Sequence, residues 1–252
     1  MTYQISGVSF TDQNDIVPQF GPEALVNHGS AYSLAGNDVI EGIGDFNLYI
    51  GLHNHYNATI DTGDGRDTIT GAAWSDYHDC GIYNGGTIET GNDEDYIYAY
   101  GKLINYGIVS LGAGDDTLGA IDNNNEAIHN QGSINTGDGK DSLIADAGAY
   151  SGFGGNGNVF LGNGEDYLKG AGSGYFYGGN DQDSLELTKG SYTIYTLGVG
   201  GGGVSFLRSE DGSNMQTFEF EKLIACTTPY PYMGSTTYNF TSLTDGQTIV
   251  VY

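Results

Sequence analysis

One turn pattern recurs seven times along this chain and restricts its possible folds more than any other feature. The segment TGDGRDTITG (62–71) is typical: its turn has two glycines, Gly63 and Gly65, and a closing aspartate, and an isoleucine or leucine follows two residues after the aspartate. The closing aspartates are Asp38, Asp67, Asp95, Asp116, Asp141, Asp166 and Asp183, at intervals of 29, 28, 21, 25, 25 and 17 residues. A unit that returns about every 25 residues predicts a solenoid, in which each repeat forms one coil and stacks on the next.

Each repeat contains short alternating segments such as TIDT and DTIT, which predict strands and not helices. Stacking the coils in parallel creates one internal ladder of Ile60, Ile88, Val109, Ile134, Val159 and Phe176. A second ladder contains Ile69, Ile97, Leu118, Leu143, Leu168 and Leu185. Asn84, Asn105 and Asn130 recur at one place in the coil, where we expect a left-handed backbone and hydrogen bonds between stacked neighbours.

The chemistry of the turn predicts a hard cation. Stacked coils lie about 4.8 Å apart, and two carboxylates at that distance repel by about 3.5 kcal/mol at an effective dielectric constant of about 20. Arg66 and Lys140 are too few to neutralise seven turns. Ca²⁺ accepts carboxylate and carbonyl oxygens together, whereas Mg²⁺ demands a strict octahedron and Zn²⁺ favours His or Cys. We therefore expect several Ca²⁺ ions, up to about six in the gaps between turns.

Glycines at the first and third turn positions allow positive φ angles, which direct backbone carbonyls toward the ion. The predicted metal-binding residues are the seven closing aspartates together with Gly63, Gly65, Gly112, Gly114, Gly137, Gly139, Gly162 and Gly164.

These turns resemble the Gly-Gly-x-Gly-x-Asp-x-apolar-x repeat of RTX (hemolysin-type calcium-binding) proteins, and the resemblance covers residues 33–187. It implies an all-β fold: a right-handed parallel β-helix or β-roll solenoid with calcium-binding turns and a C-terminal β cap. One turn per long coil favours a wider β-helix with a single calcium edge. Three turns depart from the family pattern, with Leu34, Asp93 and Asp181 in glycine positions.

The resemblance also suggests the domain organisation and the localisation. We expect an N-terminal cap segment (1–30), calcium-binding solenoid repeats (31–188) and a C-terminal β cap (189–252). The final segment TDGQTIVVY is similar to the tail read by type I secretion systems, or is simply the last cap strand. Bacterial type I export without an N-terminal signal peptide would make this a secreted, extracellular protein.

Composition limits the partners. The chain has a net charge of -25, with 32 acidic residues against 7 Lys plus Arg, which argues against nucleic acid and anionic membrane surfaces. It contains no apolar run long enough for a transmembrane segment. The expected partner is calcium, with an extracellular polysaccharide or a cell surface as further candidates. The two cysteines, Cys80 and Cys226, either form one bridge or remain thiols.

Two function classes stay open. The first is a secreted calcium-binding β-solenoid that folds on calcium binding and has a structural, adhesive or helper-module role. The alternative is a calcium-dependent polysaccharide-active enzyme of the lyase or epimerase type. Segments 51–58 and 72–80 bring His53, His78 and Asp79 onto neighbouring coils as candidate catalytic residues, or as parts of a saccharide-binding cleft, a second metal site or ordinary surface loops.

Overall fold

Three β-sheets, here called A, B and C, form the sides of a solenoid. The computed structural model of the chain describes residues 2–8, 10–17, 24–44, 49–73, 80–123, 125–198, 202–228 and 234–252. Two strands come first, β1 (Thr2–Gln4) of sheet A and β2 (Ile16–Val17) of sheet B. The predicted all-β parallel solenoid is confirmed, and its three sides make it a β-helix wider than a two-sided roll.

In the described residues, six complete coils follow, each with strands in the order sheet A, sheet C, sheet B. They are β3 (Ala24–Asn27), β4 (Ser30–Tyr32), β5 (Val39–Gly44); β6 (Ile50–Asn54), β7 (Thr59–Asp61), β8 (Thr68–Ala73); β9 (Cys80–Asn84), β10 (Thr87–Asn92), β11 (Tyr96–Tyr100); β12 (Lys102–Asn105), β13 (Ile108–Ala113), β14 (Thr117–Ile121); β15 (Ile128–Asn130), β16 (Ser133–Asp138), β17 (Ser142–Asp146); β18 (Phe153–Gly154), β19 (Asn158–Asn163), β20 (Tyr167–Lys169).

The C-terminal part continues sheets B and C. Its elements are β21 (Gly174–Asn180), β22 (Ser184–Glu186), β23 (Gly190–Leu197), β24 (Gly203–Arg208), β25 (Asn214–Phe218), β26 (Lys222–Ala225), β27 (Thr236–Asn239), a short 3-10 helix (Phe240–Ser242) and β28 (Thr248–Val251). Strands β23, β24, β25 and β28 pair antiparallel, and β25 attaches them to β21 in parallel. In sheets B and C, the strands of the last coil are therefore covered by further strands, whereas β18 is the edge strand of sheet A.

The two predicted core ladders are confirmed by the strand register. In sheet C, Ile88 pairs with Ile60 on one side and Val109 on the other, and the ladder continues to Phe176. In sheet B, Ile97 pairs with Ile69 and Leu118, and the ladder continues to Leu185. Members of both ladders are at most 1% exposed. Burying one such side chain stabilises the fold by roughly 1.5–3 kcal/mol, so the ladders hold the coils together.

Sheet A carries a ladder of buried asparagines. The side-chain Nδ2 of Asn54 donates to Oδ1 of Asn84 at 2.8 Å, and Asn84 donates in the same way to Asn105 at 2.9 Å. The ladder begins at Asn27 and ends at Asn130. The predicted stacking of these side chains is confirmed, but the expected left-handed backbone is wrong, because none of them has a positive φ angle. Extended strand geometry already brings the amides into hydrogen-bonding distance.

The described residues contain no helix long and apolar enough to cross a membrane.

Candidate metal centre

The repeated turns connect sheet C to sheet B and stack along one edge of the solenoid. All eight predicted glycines have positive φ, between 87° and 158°. Leu34, Asp93 and Asp181, which replace glycine, also have positive φ, at 75°, 79° and 84°. The three departures from the pattern therefore keep a left-handed backbone, at the conformational cost that a side chain adds there.

Close stacking of the backbone is a second reason for glycine in these turns. A Cβ atom on Gly63 would lie 1.6 Å from the carbonyl oxygen of Leu34, and one on Gly139 would lie 1.7 Å from that of Gly114. Leu34 belongs to the turn after β4, which is the edge strand of sheet C. At the first glycine position of the turn, a side chain is therefore tolerated in the first turn, where no earlier strand of sheet C stacks, and is excluded in the later turns. Asp93 and Asp181 occupy the third position instead.

The closing aspartates form a continuous column, which we call the aspartate column. The backbone N–H of each aspartate donates to Oδ1 of the closing aspartate in the next coil: Asp38 to Asp67 at 2.8 Å, Asp95 to Asp116 at 2.7 Å and Asp141 to Asp166 at 2.8 Å. The same bond joins Asp67 to Asp95, Asp116 to Asp141 and Asp166 to Asp183. Backbone donors thus offset part of the repulsion that stacking imposes.

Two acidic residues that the repeat pattern missed extend the aspartate column at both ends. The N–H of Asp15 donates to Oδ1 of Asp38 at 2.7 Å, and the N–H of Asp183 donates to Oε2 of Glu221 at 2.8 Å. Both lie outside the glycine turns, but each is followed two residues later by an apolar residue, Val17 or Leu223. That shorter signal, an acid two residues before a core residue, does not single them out, because Glu126 precedes the buried Ile128 in the same way.

One carboxylate oxygen of every closing aspartate is buried without a partner. The seven residues are at most 3% exposed, and their Oδ2 atoms have no hydrogen bond to any part of the chain that the structure describes. The hydroxyls of Thr62 and Thr90 lie close enough to Asp67 and Asp95 to lower the pKa of these carboxyl groups. Their geometry, however, places their donated bonds on carbonyl oxygens of the following coil, at 3.2 and 3.0 Å. A buried charged oxygen without a partner is strongly unfavourable, so the column requires a proton or a cation.

Burial raises the pKa of these carboxyl groups. The pKa is raised to about 7 in Asp95, Asp116 and Asp183 and to about 6 in Asp67 and Asp166. The backbone N–H from the preceding coil lowers the pKa in each case, and neighbouring carboxylates raise it again. Without a bound cation, part of the aspartate column is therefore protonated near neutral pH.

Side chains alone do not complete a metal site here. Within the described ranges, no group of three or more His, Cys, Asp or Glu side chains converges so as to hold a metal ion. A cation in the aspartate column would take Oδ2 atoms from the turns and complete its shell with backbone carbonyls and water. Ca²⁺ accepts such a mixed oxygen shell, whereas structural Zn²⁺ sites require four side-chain ligands.

Exposed acids surround the aspartate column on the same edge. They are Asp64, Asp93, Glu94, Asp115, Asp138, Glu165 and Asp181. Some of this charge is offset locally: Arg66 pairs with Glu94 at 2.9 Å, and the amide of Asn92 donates to Asp64 at 2.6 Å. The edge nevertheless attracts cations, because acids far outnumber bases along it.

The other predicted site residues lie elsewhere. His53 is on the outer face of sheet A, where its ring stacks on His55 with centroids 3.8 Å apart. Burial, followed by His55 and His28, lowers the pKa of His53 to about 4. His78 and Asp79 lie outside the described residues. Cys80 and Cys226 are free thiols.

No protein-family model matches this chain, and comparisons with curated proteins and with solved structures also gave no match.

Proposed function

We propose that this chain is a secreted calcium-binding β-solenoid of RTX type, in which Ca²⁺ ions taken up along the aspartate column complete folding. Its role is structural or adhesive, or that of a helper module for an exported enzyme. One observation carries the proposal: seven buried Oδ2 atoms, one for each repeat, have no hydrogen-bond partner among the described residues.

Protons neutralise only part of the charge of the aspartate column. Asp67 and Asp166 have pKa values of about 6, so at neutral pH most of these carboxyl groups lose their protons and leave buried negative charge. Bound Ca²⁺ supplies two positive charges and oxygen coordination at such a position. The chain contributes the rest: backbone N–H groups fix one oxygen of each carboxylate, and the left-handed turns fix the backbone.

Ion uptake and folding are coupled in this arrangement. The carboxylates come together only when the coils stack, so the free energy of ion binding becomes free energy of folding. Extracellular calcium modules bind at about 10⁻⁴–10⁻³ M. The chain therefore stays loose in a cytosol poor in calcium and folds outside the cell.

Adjacent residues provide a matched test. Asp166→Asn changes a buried member of the column, whereas Glu165→Gln makes the same charge change on the exposed residue beside it. We measure ions bound by equilibrium dialysis with ⁴⁵Ca²⁺ and strand content by far-UV circular dichroism, with calcium and after chelation. We expect Asp166→Asn to bind fewer ions and to require more calcium for folding, while Glu165→Gln follows the parent chain. Full strand content and an unchanged melting temperature after exhaustive chelation would contradict the proposal.

A further inference from the structure

A continuous strip of six aromatic rings crosses sheet A, on a different side of the solenoid from the aspartate column. Each ring contacts the next in the order His28, His55, His53, Tyr83, Tyr106 and His129. The centroid distances between successive rings are 3.8, 3.8, 4.8, 5.8 and 6.2 Å. We call these residues the ring strip. It contains four of the five histidines in the chain.

Strand register places the ring strip along the solenoid axis. His53, Tyr83 and His129 share one outward row of sheet A, in which Ile104 occupies the intervening coil. His28, His55 and Tyr106 each follow a ladder asparagine directly, so they form a second row beside the first. The two rows run from the first complete coil to the fifth, a length of about 19 Å at the usual strand spacing of about 4.8 Å.

No acidic residue belongs to the ring strip, although the molecule as a whole is strongly acidic. Glu126, a described acid that contacts the strip, is paired with Lys102 at 3.2 Å and lies 2.9 Å from Nδ1 of His129. Burial lowers the pKa of both His53 and His55, so these imidazoles are uncharged at neutral pH. With a net charge of -25, the chain repels polyanions, and cations are drawn to the acidic turn edge instead. An uncharged partner fits this face best.

The ring strip also presents hydrogen-bonding edges. Among described residues, the side chains of His28, His53, His55, Tyr83 and Tyr106 contact one another through their rings and not through hydrogen bonds to other side chains. The Nδ1–H of His129 donates to Glu126, which leaves Nε2 as the acceptor that faces the amide of Gln131 at 3.3 Å. Aromatic faces with polar edges suit a ligand that has both apolar C–H surfaces and hydroxyls.

We propose that the ring strip binds an uncharged linear polysaccharide, whose sugar rings stack on the imidazole and phenol faces along the solenoid axis. The chain of sugars lies parallel to the axis because the rings repeat from coil to coil in that direction. Sugar hydroxyls bond to the Tyr hydroxyls and imidazole nitrogens at the ring edges.

The test uses the full chain in excess calcium, with circular dichroism to verify that every variant is folded. Binding is measured by affinity electrophoresis and calorimetry against soluble uncharged glucan, xylan and mannan, with alginate and polygalacturonate as acidic comparisons. Tyr106→Ala removes an exposed ring of the strip, and Tyr83→Ala removes its central ring. Tyr100→Ala, which removes a comparably exposed ring from sheet B, is the matched control: Tyr106 is 54% exposed and Tyr100 44%.

We expect at least one uncharged polysaccharide to bind, and each strip variant to weaken its binding by roughly 3- to 10-fold. Tyr100→Ala retains the parent affinity, and Tyr106→Phe keeps most of it because the stacking face remains. Three results would overturn the proposal: no binding to any uncharged polysaccharide, binding only to the acidic ones, or equal losses in Tyr106→Ala and Tyr100→Ala.

Discussion

Removing calcium is expected to reverse the pH dependence of stability. In the chelated protein, the closing aspartates hold protons more tightly when folded than when unfolded, because burial raises their pKa from 3.8 to about 6 in Asp67 and about 7 in Asp116. Their stabilising contribution is complete below about pH 4 and is lost as the pH rises through about 6 to 7. The chelated protein should therefore be more stable at about pH 5 than at about pH 8.

The magnitude follows from the pKa values. For Asp67, the rise from 3.8 to about 6 is equivalent to about 3 kcal/mol, because one pKa unit corresponds to about 1.4 kcal/mol. Neighbouring carboxylates interact, so the contributions of the column do not simply add. With calcium bound, protons compete with the ion, and we expect stability to fall as the pH is lowered over the same range.

Urea unfolding followed by circular dichroism, with calcium and with chelator, measures both profiles, and a chelated chain that is already unfolded at about pH 8 counts as the lower stability expected there. Asp166→Asn removes one titrating group and should reduce the slope of the chelated profile by up to about 1.4 kcal/mol per pH unit, whereas Glu165→Gln should leave it unchanged. Burial lowers the pKa of His53 to about 4, so this residue makes the stability rise with pH. Because both variants retain His53, its effect cancels when their profiles are compared. A chelated profile that is flat or rises with pH would refute the assignment of protons to the aspartate column.

Three further predictions concern packing. Asn84→Leu interrupts the asparagine ladder, in which Asn84 makes a 2.9 Å side-chain bond, and should lower the free energy of unfolding by about 2–4 kcal/mol, measured by urea unfolding; a loss below about 0.5 kcal/mol would contradict it. Leu34→Gly should stabilise the chain by about 1 kcal/mol by relieving a left-handed leucine, whereas Gly63→Ala should destabilise it because the new Cβ meets a carbonyl; a shared direction of change in melting temperature would be inconsistent with this. Burial raises the pKa of the Cys80 thiol to about 12, so Cys80 should react with iodoacetamide only when the protein unfolds. The half-buried Cys226 should react in the folded protein, and mass spectrometry of the labelled peptides distinguishes the two cysteines.

Much of the fold is encoded in features that a single sequence displays. The spacing from each closing aspartate to the following Ile or Leu predicted the sheet B ladder, because the position of the acid in the turn fixes which residues of the next strand face the core. Sheet A was harder to recognise as a full side. Its strands are marked mainly by asparagine, and Asn54 lacks the glycine that follows Asn84 two residues later.

The candidate site could be predicted only in part. The sequence shows that Asp116 and its equivalents recur, but it does not show which N–H group bonds to each carboxylate oxygen. The donor belongs to a residue 17 to 29 positions away. Asp15 and Glu221 were missed since neither follows a glycine pair. The ring strip was equally hidden: His28, Tyr83 and His129 share no local motif, and only the register of the strands brings them together.

The bonds along the aspartate column all point the same way, from the amide of one coil to the carboxylate of the coil that follows it in sequence. When the coils stack outside the cell, each layer added at the C-terminal end of the stack brings a carboxylate to an amide that is already held in place. Shortening the chain is correspondingly unequal in its effect: loss of the first layers strips a carboxylate of its donor, whereas loss of the last layers leaves only a neutral amide without an acceptor.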